Sequence, residues 1–173
     1  MRRLRNVLRV ILVLLVVLAL WSLVRASTPV TAFRRQIVVN VPREVAWEHF
    51  NKLSEWKTWL GDSGAPTMLS TNVAGPETVA TFAGNLTFRM SQFEPTSHWM
   101  WTGKMGWLTI DYNHIFEPIS AQQTRIVFHQ TVRGFGNDAS ALLLRGLTAA
   151  VGHQAALNRL ADEMNRLPAA TAR

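Results

Sequence analysis

The chain has no cysteine among its 173 residues. That excludes disulfide bonds, thiolate metal sites and a cysteine nucleophile, and it leaves the redox compartment open. Charge is also sparse: 17% of residues are charged against 48% apolar, a balance that suits a folded core and not a disordered chain. Acidic residues are the scarcer sign, 11 against 18 basic, for a formal net charge of +7. A surplus of that size suggests nucleic acid, but its placement argues against it. Arg2, Arg3, Arg5, Arg9 and Arg25 flank one apolar run, and without residues 1–26 the balance is 13 basic to 11 acidic, or +2. No Lys/Arg stripe remains to track phosphates, so no nucleic-acid partner is expected. The five histidines, His49, His98, His114, His129 and His153, are spread one per element without ligand spacing. No metal or other cofactor is expected from them. No internal repeat and no Ser-His-Asp arrangement is legible.

The apolar run itself covers Val10 to Val24, 15 uncharged and mostly aliphatic residues. As a helix it spans about 22 Å at roughly 1.5 Å per residue, short of the ~30 Å hydrocarbon core. Val7, Leu8 and snorkelling Arg9 and Arg25 extend it towards a full span, and Trp21 suits an interface. Two readings of residues 1–26 stand. An uncleaved membrane anchor fits the length of the run; a cleaved signal peptide fits the basic start and the small residues near Ala26. Arg25 beside the cut makes cleavage the poorer fit. Both readings put the N-terminus in the cytoplasm, because four arginines precede the run. The expected location is therefore a single-pass membrane protein with its domain outside the cytoplasm, periplasmic or at the cell surface, or a secreted domain if the leader is removed.

A polar tether, residues 27–32, leads into one domain expected over 33–167, and residues 168–173 read as a frayed tail. Phe33 to Val41 reads as a first strand, with Ile37 and Val39 inward. Pro42 suits the first turn of a helix dominated by Val45, Trp47, Phe50 and Leu53. The second, shorter helix SEWKTWL has Ser54 as its expected N-cap. Strands are predicted near 67–74, 77–83, 86–94, 98–103, 107–117 and 123–133, each bounded by Gly, Pro or Asn turn signals. A helix capped by Asn137 or Asp138 is predicted to run unbroken to about Arg166, with Leu143, Leu147, Ala150, Leu157, Ala161 and Met164 at helical spacing. Strands followed by one terminal helix make an α+β arrangement in which the sheet curls around the helix and leaves a space for a small molecule.

The helix entry VPREVAWEHFNKLSEWKTWL carries a resemblance. So do Trp101-x-Gly103, His114-x-Phe116-x-Pro118, Thr124-Arg125 and Gly134, taken in that order. Together they resemble the START-like helix-grip superfamily (SRPBCC), which includes polyketide cyclase/dehydrase-like and lipid-transfer proteins. The likeness spans about residues 33–166. It implies a curved antiparallel sheet wrapped around a long C-terminal helix, with a deep apolar cavity between them. It does not imply one activity, since carriers, sensors and enzymes share the fold.

His114 stands out within that frame. Strand alternation puts Leu108, Ile110, Tyr112, His114 and Phe116 on one face, and Asp111 and Glu117 on the other. An imidazole on an apolar face is a satisfied core residue, a polar contact for a ligand, or a proton-transfer group. If 107–117 and 123–133 pair as a hairpin, His114 falls opposite a residue between 126 and 130, within reach of Gln130. No inward carboxylate accompanies it, which argues against acid/base catalysis. The expected ligand contacts are Trp59, Phe88, Met90, Trp101, Tyr112, His114, Phe116, Phe128 and Gln130, with Leu143 and Leu147 from the terminal helix. The expected function is a membrane-tethered binding protein for a lipid or other apolar small molecule. The alternative is a cyclase/dehydrase-type enzyme using the same cavity.

Overall fold

Alternating side chains make the central strands, and the hairpin between them sets the sheet. The computed structural model describes residues 2–150 and 152–167, the side chains of residues 2–8, 22 and 147–150 excepted. Its elements are α1 (Arg2–Ser27), β1 (Val30–Val39), α2 (Arg43–Phe50), α3 (Trp56–Leu60), β2 (Met68–Leu69), β3 (Val79–Phe82), β4 (Leu86–Glu94), β5 (His98–Met105), β6 (Leu108–Ser120), β7 (Gln123–Arg133), α4 (Asn137–Ala150) and α5 (His153–Asn165). The strands form one seven-stranded sheet in the order β1-β7-β6-β5-β4-β3-β2, antiparallel throughout. The α+β class and the curved sheet with helices at its C-terminal side are as expected. His114 pairs with Phe128, inside the expected window, and Tyr112 pairs with Gln130.

Four expectations are corrected. The tether is shorter than residues 27–32, because Val30 and Thr31 already pair with Val132 and Thr131 and lengthen β1 at its start. Residues 67–74 supply only the two-residue strand β2, and the chain then loops to β3. Ser54 caps nothing: Leu53–Glu55 is a 3-10 turn, and neither it nor α3 has a side-chain cap. The single terminal helix is two helices. Gly152 sits at φ +70°, the left-handed region that glycine enters without steric cost, so the helical ladder cannot run through it. Separate helices let α4 pack on β1 and β7 while α5 packs on β1 and α3. Residues 168–173, expected to fray, lie outside the described residues.

The core is aromatic. Phe50, fully buried on α2, has the rings of Trp56, Trp59, Trp99, His114, Phe116 and Phe128 around it at centroid distances of 5.1 to 5.8 Å. On the other face of β6, Asp111 accepts from Thr102 Oγ1 at 2.7 Å and from Arg133 Nη2 at 2.9 Å, so its carboxylate is held away from this core. The helix α1 stands apart from both faces. Arg9–Ser27 is long and apolar enough to cross a membrane, and Leu14, Leu18 and Trp21 are 56%, 60% and 64% exposed.

Candidate functional site

Between α3, the start of α5 and the concave face of the sheet lies a cavity of about 230 Å³. Strand parity supplies its floor: Phe88 from β4, Trp101 from β5, Tyr112 and His114 from β6, and Phe128 from β7. Trp56, Trp59 and Leu60 of α3 form one wall, and His153 and Ala156 of α5 another. Phe33, Phe82 and Leu86 extend the apolar lining, and Ser63 and Gly64 stand at the rim. Among the described residues, no aspartate or glutamate lines the cavity.

His114 is caged. The Trp99 ring lies 4.2 Å away, Phe50 5.2 Å and Phe128 5.5 Å, centroid to centroid. Its Nδ1 is buried without a hydrogen-bond partner. Loss of hydration of the charged ring pushes its pKa down to about 3, and the nearby His153 and His98 add to the effect. His153 follows the same logic: burial first, then the Arg35 guanidinium, lower its pKa to about 4. The Nδ1 of His153 and the indole Nε1 of Trp101 are also buried without partners. Three lining residues therefore carry unmet polar atoms, each costing about 1–3 kcal/mol relative to a bonded state. Gln130 does not bond His114. It lies directly across from Tyr112 in the sheet, and its own buried Oε1 has no hydrogen-bond partner; burial raises the Tyr112 pKa to about 12, with the neighbouring Gln130 side chain opposing the shift. Tyr112 is thus a neutral phenol, and both imidazoles are neutral at pH 7.

Residues 30–165 match the family described as polyketide cyclase / dehydrase and lipid transport. The chain belongs to that family. The match spans most of the chain and begins where β1 begins. Solved structures agree on the START-like fold of this family. The aromatase/cyclase Zhui from Streptomyces sp. R1128 is 14% identical, with 80% of this chain and 97% of that one aligned at a TM-score of 0.57. A hypothetical protein from Helicobacter pylori is 16% identical over 76% and 86% of the two chains, at 0.59. A protein from Thermobifida fusca solved by NMR is 17% identical over 82% and 97%, at 0.57. At these identities the likeness is one of fold. No curated protein matches by sequence.

Of the residues singled out from the sequence, the fold brings Trp59, Phe88, Trp101, Tyr112, His114 and Phe128 onto the cavity. Met90, Phe116 and Gln130 are buried but stand behind the lining; Phe116 packs on Trp47 and Phe50 instead. Leu143 is not a cavity residue: it is 63% exposed on the outer side of α4, whose buried contact is Ala141. The side chain of Leu147 lies outside the described residues. His153 is the main residue that sequence reasoning missed. It begins the stripe His153, Ala156, Leu157, Leu160 and Met164, whose last four members are buried and whose helical spacing was there to be read.

Gly103 shows how closely the lining is fitted. A Cβ there would stand 2.6 Å from Cδ1 and Cε1 of the Phe88 ring. The ring lines the cavity, which gives it space to move into. Gly103→Ala is expected to fold with a loss of roughly 1–3 kcal/mol and to drive Phe88 inward. Titration with naphthalene checks this: binding at least tenfold weaker than wild type is expected, and unchanged affinity would show that the ring yields elsewhere.

Proposed function

We propose that this family member binds an apolar small molecule in the cavity and is tethered to a membrane by α1, with the domain outside the cytoplasm. The observation that carries the binding reading is an aromatic cavity holding two neutral, under-bonded imidazoles, His114 and His153. Burial of apolar ligand surface supplies the affinity at about 25 cal/mol per Å². A neutral imidazole offers one donor and one acceptor, and Trp101 Nε1 a further donor, which suits a hydroxyl or carbonyl on an otherwise apolar ligand. The volume of 230 Å³ sizes the ligand as a small ring system or one chain of a lipid, since ligand pockets usually measure about 300–1,000 Å³. The same two imidazoles favour a second reading, proton transfer by a cyclase-type enzyme. Against it, a ring held near pKa 3 is a poor base at neutral pH, and among the described residues no carboxylate lines the cavity.

Two matched probes test the assignment, 1-naphthol and naphthalene, titrated into the wild type and His114→Leu. Leucine keeps the volume and removes the polar atoms. Naphthol is expected to lose about 1 kcal/mol, roughly fivefold in affinity, and naphthalene nothing. Equal losses for both probes, or none for either, would remove His114 from the binding site. Mass spectrometry of material that co-purifies with the full chain identifies the natural ligand. Turnover of that ligand by the wild type would decide for the enzyme.

A further inference from the structure

The end of the sheet that α1 joins is also where exposed apolar side chains gather. Register locates it. Phe88 pairs with Gly103, Gly103 with Ile110, Ile110 with Val132 and Val132 with Val30, one row across β4, β5, β6, β7 and β1. Beyond that row, on the α1 side, come the β5–β6 turn with Trp107 and the β7–α4 turn with Phe135. Trp107 is 75% exposed, Phe135 64%, and Leu142 and Leu143 of α4 65% and 63%. The indole Nε1 of Trp107 donates to the Phe135 carbonyl at 2.9 Å and joins the two turns into one patch.

The end of α1 is fastened to the same place. Arg25 pairs with Asp138 at 3.1 Å, Asn137 Nδ2 donates to the carbonyls of Arg25 and Thr28 at 2.9 and 2.7 Å, and the Gly134 amide donates to the Ala26 carbonyl at 2.8 Å. Asn137 thus clasps the start of α4 to the end of α1. Leu142 follows Asp138 by four residues on α4, so it shares the side that faces Arg25. A long, exposed apolar helix and an exposed apolar patch are therefore held at one corner.

We propose that this face of the domain rests on the bilayer that α1 crosses, with Trp107, Phe135, Leu142 and Leu143 at the boundary between headgroups and acyl chains. The proposal rests on the reading of α1 as an uncleaved anchor. Exposed tryptophan favours that depth, and Lys104, exposed next to Met105, suits lipid phosphates. The cavity shares this end of the molecule: Phe82 and Leu86, half-buried in its lining, flank the β3–β4 turn, which lies on the α1 side of the same row. A lipid-soluble ligand then passes between bilayer and cavity without crossing bulk water.

Single-cysteine labelling tests it cleanly, because the chain has no cysteine of its own. Full-length protein carrying a nitroxide at Trp107→Cys, Leu143→Cys, Leu18→Cys or Ala121→Cys is placed in phosphatidylcholine/phosphatidylglycerol nanodiscs. Collision with lipid-soluble oxygen is compared with collision with an aqueous nickel chelate. Ala121, in the β6–β7 turn, marks the far end of the sheet. Labels at 107 and 143 are expected to show an oxygen-to-nickel ratio several-fold above that at 121, with the highest ratio at 18. If the label at 18 is in lipid while 107 and 143 match 121, the apposition is wrong and the anchor stands. If 18 also matches 121, the anchor reading fails and takes the apposition with it.

Discussion

Acidification below about pH 6.5 should destabilise this protein steadily, with the loss from His153 ending near pH 4 and that from His114 near pH 3. In the unfolded chain His114 and His153 take up protons near their ordinary pKa of about 6.5. In the folded chain burial holds them neutral until about 3 and about 4. Between those values the unfolded state carries more protons than the native state, so stability rises with pH and falls with acid. Above pH 6.5 neither state is charged at these rings, and their contribution is flat. For fully buried His114 the slope approaches about 1.4 kcal/mol per pH unit inside the window. Urea unfolding midpoints at pH 7.5, 6.0, 5.0 and 4.5, for wild type and His114→Leu, measure it. The two proteins should diverge on the acid side, the variant losing less. Parallel curves would mean that His114 is protonated in the native state at mild acid, and that the aromatic cage does not exclude charge.

Gly134→Ala is expected to cost roughly 2–6 kcal/mol, combining backbone strain with a steric clash. The residue sits at φ +131°, where a side chain is strained whatever the space. A Cβ there would also lie 2.4 Å from the Trp107 carbonyl oxygen and 3.1 Å from the Leu108 Cα. Both are backbone atoms of the β5–β6 hairpin, so no rotamer change relieves the contact. Gly134 also donates its amide to the Ala26 carbonyl, so the clash reaches the junction with α1. A fall of 10 °C or more in the midpoint of thermal melting, or failure to fold, is the expected readout. A variant melting within 2 °C of the wild type would mean that the chain can reroute between β7 and α4, and that the fixed corner described above is soft. Gly103→Ala, by contrast, meets a side chain with room to move and should be the milder change.

Gly103 and Gly134 also show what a sequence does not display. Both were part of the pattern that carried the family resemblance, yet nothing in their neighbours says why glycine stands there. The reasons are the Phe88 ring, 15 residues from Gly103, and the Trp107 carbonyl, 27 residues from Gly134. The hairpin of β6 and β7 was more open to reading. Two alternating strands joined by a short turn have few registers, and a shift by one residue would turn His114 out of the core. Its partner was harder to name, since a window of five residues holds both Phe128 and Gln130, and the pairing gives Gln130 to Tyr112.

The terminal helices mark the limit. Helical spacing identified a helix but not its inner stripe, because α4 is apolar on more than one side. Ala141 is small enough to bring α4 close to the sheet, so it is buried, and Leu142 and Leu143 stay outside. A break at Gly152 then resets the phase and turns His153 towards the cavity.

What the sequence determined by itself is what depends on near neighbours: an apolar N-terminal run, strand alternation, the order of elements, and from that order the α+β helix-grip fold. These follow from backbone periodicity, which is written residue by residue. What only the tertiary structure decided is convergence. The cavity brings together residues from Phe33 to Ala156, and its chemistry depends on which polar atoms find partners. The low pKa values of His114 and His153 come from dehydration by rings that are distant along the chain. The placing of α1 at the same end of the sheet as Trp107 and Phe135 comes from the register of five strands. Long-range packing sets these properties, and no local pattern contains them.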